Sequence, residues 1–126
     1  MKKPIVKKIS FDPKFWANRC PTYTFWIYKK GCRVGELSCS IVEGNCGYVF
    51  GVRIYNVEDR NKGLGSLLVR KSLVWIKKKL KIKIFHLNSN KRAVRFYKRC
   101  KFVDKHTLSL PLCSTTIGIH MVYKAA

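Results

Sequence analysis

Arg60, Gly63 and Gly65 stand close together in the stretch DRNKGLGSLLVRK, residues 59–71. Their types and spacing suit one kind of chemistry. Glycine tolerates backbone conformations that turn successive N–H groups toward a common point, and such a concavity holds an anion. Spacing excludes two nucleotide-loop patterns. A Walker loop needs Lys and then Ser or Thr directly after its last glycine, whereas Gly65 is followed by Ser66 and Leu67. The dinucleotide fingerprint needs a third glycine at 68, where the chain has leucine. What remains is R-x-x-G-x-G ahead of an apolar run, an anion site whose ligand the loop alone leaves open.

The cysteines carry a weaker signal. None of the six (Cys20, Cys32, Cys39, Cys46, Cys100, Cys113) lies in a C-x-x-C pair. A zinc site from Cys32, Cys39 and Cys46 would use seven-residue steps that match no common ligand spacing. They are read as small buried hydrophobes, with no metal expected.

The elements that must position the loop follow from patterning. A chain of 126 residues, 47% hydrophobic, is expected to form a single domain over 1–126 with a core that needs no disulfides. No apolar run approaches the roughly 20 residues of a membrane span, and the start lacks a signal-peptide pattern, so a cytoplasmic protein with no membrane partner is expected. PIVKKISF reads as a first strand, and DPKFWANRCP as at most one short helix with Asp12 as its cap. The stretch 22–57 reads as an antiparallel meander of three strands broken at KKG and EGNCG. From Leu64 the apolar period lengthens, and Leu68, Trp75, Ile76 and Leu80 predict a helix over 65–79. KIKIFHL (81–87) alternates as a strand, Asn88, Ser89 and Asn90 offer caps for a helix over KRAVRFYKRC, and two closing strands follow. The order βαβββαβαββ makes an α/β domain, a mixed sheet with helices on its faces.

A second segment now sharpens the loop. NKRAVRFYKRCKF carries Asn90, Ala93, Tyr97 and Phe102 about 30 residues after R-x-x-G-x-G, and the tail HMVYK closes the chain as a strand. Together these resemble the Gcn5-related N-acetyltransferase (GNAT) family, with its [Q/R]-x-x-G-x-[G/A] signature between a strand and a helix and its N-x-x-A-x-x-x-Y-x-x-x-x-F segment. The resemblance runs from about residue 22 to the end. It implies a GNAT-like, mostly antiparallel central sheet with helices on both faces. It also implies acetyl-coenzyme A as cofactor and N-acetylation of a primary amine by direct attack in a ternary complex.

It implies site residues as well. The pyrophosphate would sit on the helix N-terminus, against Arg60, Asn61, Lys62, Gly63, Leu64, Gly65 and Ser66. The pantetheine arm would pair with the end of the strand at 48–55, where that strand splays from the next, so the backbone of Ile54 and Tyr55 should face the cofactor. A backbone N–H near Tyr55 would polarise the thioester. Tyr97 is the expected catalytic acid, because the family's tyrosine at this place approaches the cofactor sulfur. Asn90 would cap the second helix and touch the pantetheine region.

Three departures from the family pattern matter. Residues 48–57 hold no acid, so the base falls to Glu36 or Glu43, or to His86 and His120 through water. Lys101 stands before Phe102 where the family commonly has glycine, so that helix end must be strained or turn differently. The N-terminal helical region is short, which opens the acceptor groove and suits a macromolecule.

Charge bears on that acceptor. The net charge is +21, and residues 60–105 hold sixteen lysines and arginines against one acid, Asp104. Such a field attracts polyanions. The amine acceptor stays unidentified. RNA or a ribosome-associated particle could be held by Lys77, Lys78, Lys79, Lys81 and Lys83 and by Arg92, Arg95 and Arg99, while a small polyamine would need a local pocket of Glu36, Glu43, Glu58 and Asp59. A nucleic-acid-binding module on the same scaffold without catalysis is the alternative, and a cofactor-sensing or assembly role is a third. The basic surface could also be a solvated face with no partner.

Overall fold

The computed structural model describes residues 5–12, 21–42, 45–104 and 119–125, the first of these segments by its backbone alone. The elements in chain order are β1 (Ile5–Asp12), β2 (Thr22–Lys29), β3 (Cys32–Val42), β4 (Cys46–Ile54), α1 (Leu64–Leu80), β5 (Ile84–Ser89), α2 (Val94–Arg99), β6 (Val103–Asp104) and β7 (Ile119–Lys124). The strands form one mixed sheet in the order β1-β2-β3-β4-β5-β7-β6. All neighbours are antiparallel except β4 and β5, which α1 joins as a crossover. This is the mostly antiparallel α/β architecture expected.

Local chemistry sets the boundaries. Lys30 and Gly31 both adopt positive φ, 52° and 80°, which matches the twist of the β2–β3 hairpin. Helix α1 begins after Gly63 in a left-handed conformation and ends at Lys81, also left-handed, whose N–H bonds Lys77 O at 3.0 Å. It buries Leu64, Leu68, Val69, Leu73 and Ile76. Trp75 lies against Tyr23 and Phe25, with ring centroids 5.5 and 5.6 Å apart. Cross-strand partners share a face, so Phe25, Leu37, Val49, Phe85, Leu87 and Met121 form the floor on which α1 rests. Helix α2 joins the same layer: Tyr97 meets Phe102 edge-on, and Phe102 tilts against Tyr123. Among the described residues no helix is long and apolar enough to cross a membrane.

Several boundaries differ from the sequence reading. The strand expected over 81–87 is β5 at Ile84–Ser89, because Lys81 is spent in ending α1. Ser89 is therefore a buried strand residue, and the cap is Asn90, whose Oδ1 accepts from Ala93 N at 2.9 Å. The helix that follows opens with a 3-10 turn at Lys91–Ala93. Its end has a definite answer. Lys101 takes φ +77°, with Lys101 N–H bonded to Lys98 O and Phe102 N–H to Tyr97 O, each at 3.0 Å. That is the bonding of a glycine-terminated helix, made by a lysine. Cys39 is buried, Cys46 and Cys100 are half-buried, and Cys32 is exposed at the hairpin, so Cys32 is not the buried hydrophobe expected. Asp12 closes β1. The two expected closing strands appear as β6 and β7, with residues 105–118 between them outside the described residues, as are Cys20, Glu43, Cys113 and the short helix expected after Asp12.

Candidate functional site

The site is built on a strand that changes neighbours halfway along. β4 pairs with β5 only from Cys46↔Ile84 to Val49↔Leu87, although it continues to Ile54. At that point Ser38 pairs with Gly51 and Cys39 with Val49, which leaves Phe50 as an extra residue, and Gly51 takes φ +145°. A bulge bends its strand and ends pairing. Beyond it, β4 is bonded to β3 on one edge and open on the other.

Backbone direction then follows from alternation. Tyr55 N–H bonds Val34 O at 3.0 Å, so Tyr55 and Arg53 turn their polar groups to β3, and Val52 and Ile54 turn theirs to the open edge. The expectation that a backbone N–H near Tyr55 would polarise a thioester therefore needs correction at Tyr55 itself, which is already bonded. Ile54 does face the opening, but its carbonyl accepts from Arg60 Nε at 3.2 Å. Arg60 thus ties the loop back to the strand end.

Tyr97 reaches this edge from α2. Its phenol receives a hydrogen bond from the Val52 backbone, and its Oη lies 4.0 Å from where a Cβ on Gly51 would stand. Burial pushes the phenol above its ordinary pKa; the Val52 bond opposes this and Cys100 adds to it. The hydroxyl therefore stays protonated at neutral pH. Its oxygen accepts from Val52, which leaves its own proton to donate into the gap.

The loop supplies donors. The first backbone bond into α1 runs from Leu67 N–H to Gly63 O at 3.0 Å, and among the described residues no backbone carbonyl accepts from the N–H groups of Asn61 to Ser66. These orphan donors at a helix start form an anion site. Leu64 contributes only through its backbone, since its side chain is buried. Asn61 adopts φ 61° beside the exposed Lys62. Ser66 turns its hydroxyl to Cys100, so it too offers the loop only an N–H. Gly63 has open space where a side chain would project. Gly65 serves packing, because a Cβ there would stand 3.0 Å from the Phe96 ring.

Loop, open edge and α2 enclose one groove of about 850 Å³. Val52, Ile54 and Tyr97 line one end, and Arg60, Asn61, Gly63, Gly65 and Ser66 the other. Arg92, Arg95 and Arg99 come from the 3-10 turn and α2, with Arg53 from β4, against Asp59 as the one lining acid. The sequence suggests those three arginines as polymer contacts; the geometry puts them on the groove. Their spacing of three and four residues marks one helical face and is the signal that could have placed them. Asn90 does not line the groove, and its carboxamide is used in capping.

Other candidates lie on the opposite face of the sheet, by the same alternation. Glu36 accepts from Tyr55 Oη at 2.6 Å, and burial and then this carboxylate push the tyrosine's pKa up. His86 Nδ1 and His120 Nε2 lie 2.9 Å apart with their rings stacked, and burial followed by His120 lowers the pKa of His86. Among the described residues no group of three or more His, Cys, Asp or Glu side chains could hold a metal.

Known proteins share this fold. The fold is shared with the crystal structure of Tetrahymena GCN5 at TM-score 0.71 and 14% identity, over 83% of this chain and 69% of that one. It is shared with the PaiA N-acetyltransferase of Thermoplasma acidophilum in complex with coenzyme A, at TM-score 0.67 and 17% identity, over 82% of this chain and 60% of that one. The aminoglycoside acetyltransferase AAC(6')-Ib in complex with coenzyme A and kanamycin superposes at TM-score 0.66 and 17% identity, over 82% and 66% of the two chains. No curated protein sequence matches. The acetyltransferase (GNAT) family model matches residues 3–102, spanning the open-edged strand, the glycine loop and the tyrosine helix, and the chain belongs to that family.

Proposed function

We propose that the chain is an acetyl-coenzyme A dependent N-acetyltransferase that passes the acetyl group directly to a primary amine. One observation carries this reading: a single groove runs from the unbonded N–H groups of residues 61–66 to the Tyr97 hydroxyl at the open edge of β4. The residues fit the cofactor. Orphan N–H groups with Arg60, Arg92, Arg95 and Arg99 suit a pyrophosphate and a further phosphate. The open edge at Val52–Ile54 suits an amide-bearing arm laid down as an extra strand.

Bound acetyl-coenzyme A supplies the thioester, an acyl group activated by a thiolate leaving group. The chain's own residues do the rest. Loop and arginines hold the phosphates, and the unpaired half of β4 orients the arm. Val52 holds the phenol oxygen, and Tyr97 delivers its proton to the departing sulfur. For the amine proton the described residues offer Glu36 and the His86–His120 pair through water, on the far face of the sheet and reached across the gap where β4 leaves β5. The three members of the loop motif and Tyr97 together favour catalysis over a disused scaffold.

The test is thiol release from labelled acetyl-coenzyme A with and without a panel of amines. Direct transfer requires release and label on the amine only when an acceptor is present. Labelled protein and free thiol without acceptor would contradict direct transfer, and no label on any amine or cell-extract fraction would remove the enzymatic reading.

A further inference from the structure

A second groove, of about 430 Å³, lies beside α1, between that helix, the end of α2 and the end of β7. Its floor is apolar and partly aromatic, made by Val69, Leu73 and Tyr123. Val74 stands at the lip with 42% of its surface exposed. The rim is cationic throughout: Arg70 and Lys77 on α1, and Arg99 and Lys101 at the end of α2, with no acid among the lining residues. None of these four cations makes a salt bridge among the described residues. Lys71, Lys78 and Lys79 extend the charge along α1.

We propose that this groove is a docking surface for single-stranded RNA, taking one unstacked base on its floor and the flanking phosphates on its rim. The chemistry on both sides argues for that occupant. A polyanion is needed to match a rim of one sign. An apolar, aromatic-floored hollow inside such a rim suits a base face, which phosphate contacts alone would not require. The hollow is far too small for a duplex, whereas single-stranded RNA loops and ends can splay out a base to fill it. The groove meets the cofactor groove at Ser66 and Arg99, so a strand held here runs past the mouth of the first groove. Apart from Ser66 and Arg99 its lining is separate from the cofactor groove, so RNA binding can fail while acetyl transfer survives.

The experiment is fluorescence anisotropy of a labelled 12-nucleotide oligouridine with the full chain, at salt from about 50 to 200 mM. Binding should weaken steeply with salt. Arg70→Glu and Lys77→Glu should each weaken it at least tenfold, whereas Lys30→Glu, an equal charge change on the β2–β3 hairpin, should have a far smaller effect. Val74→Ser should lower affinity while leaving the salt slope unchanged, the mark of a lost apolar contact. Saturating coenzyme A should weaken RNA binding without abolishing it, because Arg99 lines both grooves while Arg70, Lys77 and Lys101 line this one alone. Equal losses from Lys30→Glu and Arg70→Glu, equally good competition by oligoglutamate, or preference for a 12-base-pair DNA duplex would reduce the groove to bulk charge and overturn the proposal. Complete displacement of RNA by coenzyme A would assign the groove to the cofactor and overturn it as well. Melting curves of each variant establish that the fold is retained.

Discussion

Strand β4 holds two regions of opposite character within nine residues. Along Cys46–Val49 it is bonded on both edges, and Gly47 lets Phe85 pack so close that a Cβ would stand 2.5 Å from the ring. Along Phe50–Ile54 it is bonded on one edge, and Gly51 at φ +145° marks the change. The sealed half is paired with both neighbours and builds the core. The open half leaves backbone groups at Val52 and Ile54 facing a groove, where Tyr97 and Arg60 meet them. An exposed strand edge is ordinarily a hazard that proteins cover. On the proposed function, the open edge is where a strand-like ligand is held.

The largest expected effect belongs to the open half. Tyr97→Phe keeps the ring and removes the proton donor, so turnover should fall by about 10²–10⁴ with cofactor affinity nearly unchanged. Tyr48→Phe, in the sealed half, should change turnover far less. Steady-state kinetics of both variants checks the contrast, and an unaltered Tyr97→Phe would move proton delivery to water.

Next comes a matched pair of prolines. Val49→Pro strikes a buried residue where the strand is paired on both edges, and there an unmade bond costs about 1–3 kcal/mol and the valine's packing is lost in addition. Val52→Pro removes an N–H that points to the open edge, so the ladder with β3 survives. Urea titration should show a large fall in midpoint for Val49→Pro and a smaller one for Val52→Pro, with acetyl-coenzyme A binding lost in the second. Equal falls would deny that the two halves differ.

Cys39, the β3 partner of Val49, reports on the sealed half through pH. Burial pushes its thiol from 9.0 up to about 12. Below pH 9 neither folded nor unfolded thiol is ionised, and this contribution to stability is complete. Between 9 and 12 the unfolded thiol ionises first, so stability falls as pH rises. Denaturant midpoints at pH 8 and 10.5 should show that loss in the parent and a smaller one in Cys39→Val.

The smallest effect concerns the helix end that holds Tyr97. Lys101→Gly removes a left-handed lysine, worth roughly 1–2 kcal/mol, against an unfolded-state entropy penalty of about 0.4–1 kcal/mol. A net stabilisation of about 0.5–1 kcal/mol should raise the melting temperature by a few degrees.

The sequence shows why some of this could be read in advance. The apolar spacing of Leu64, Leu68 and Ile76 fixes α1 to within one residue at each end, because a helix buries one stripe wherever it packs. Lys101 signals its own strain by standing where the family has glycine. The start of β5 was less legible: KIKIFHL alternates from Lys81, but alternation is satisfied by any extended residue, and pairing begins only where a neighbour arrives, at Ile84. The bulge at Phe50 was hidden for the same reason. GYVFGVRI reads as one continuous strand, and the slip that turns Val52 rather than Tyr55 to the opening exists only in register with β3. Arg92, Arg95 and Arg99 were visible as charges, and only the contact between Gly65 and Phe96 brings their face onto the glycine loop.

The most direct test is amide hydrogen exchange resolved by residue, with and without acetyl-coenzyme A. The cofactor should slow exchange at Ile54 and across residues 61–66, and leave Cys46–Val49 unchanged. Protection absent from the open edge and the glycine loop while the ligand is demonstrably bound would contradict the account.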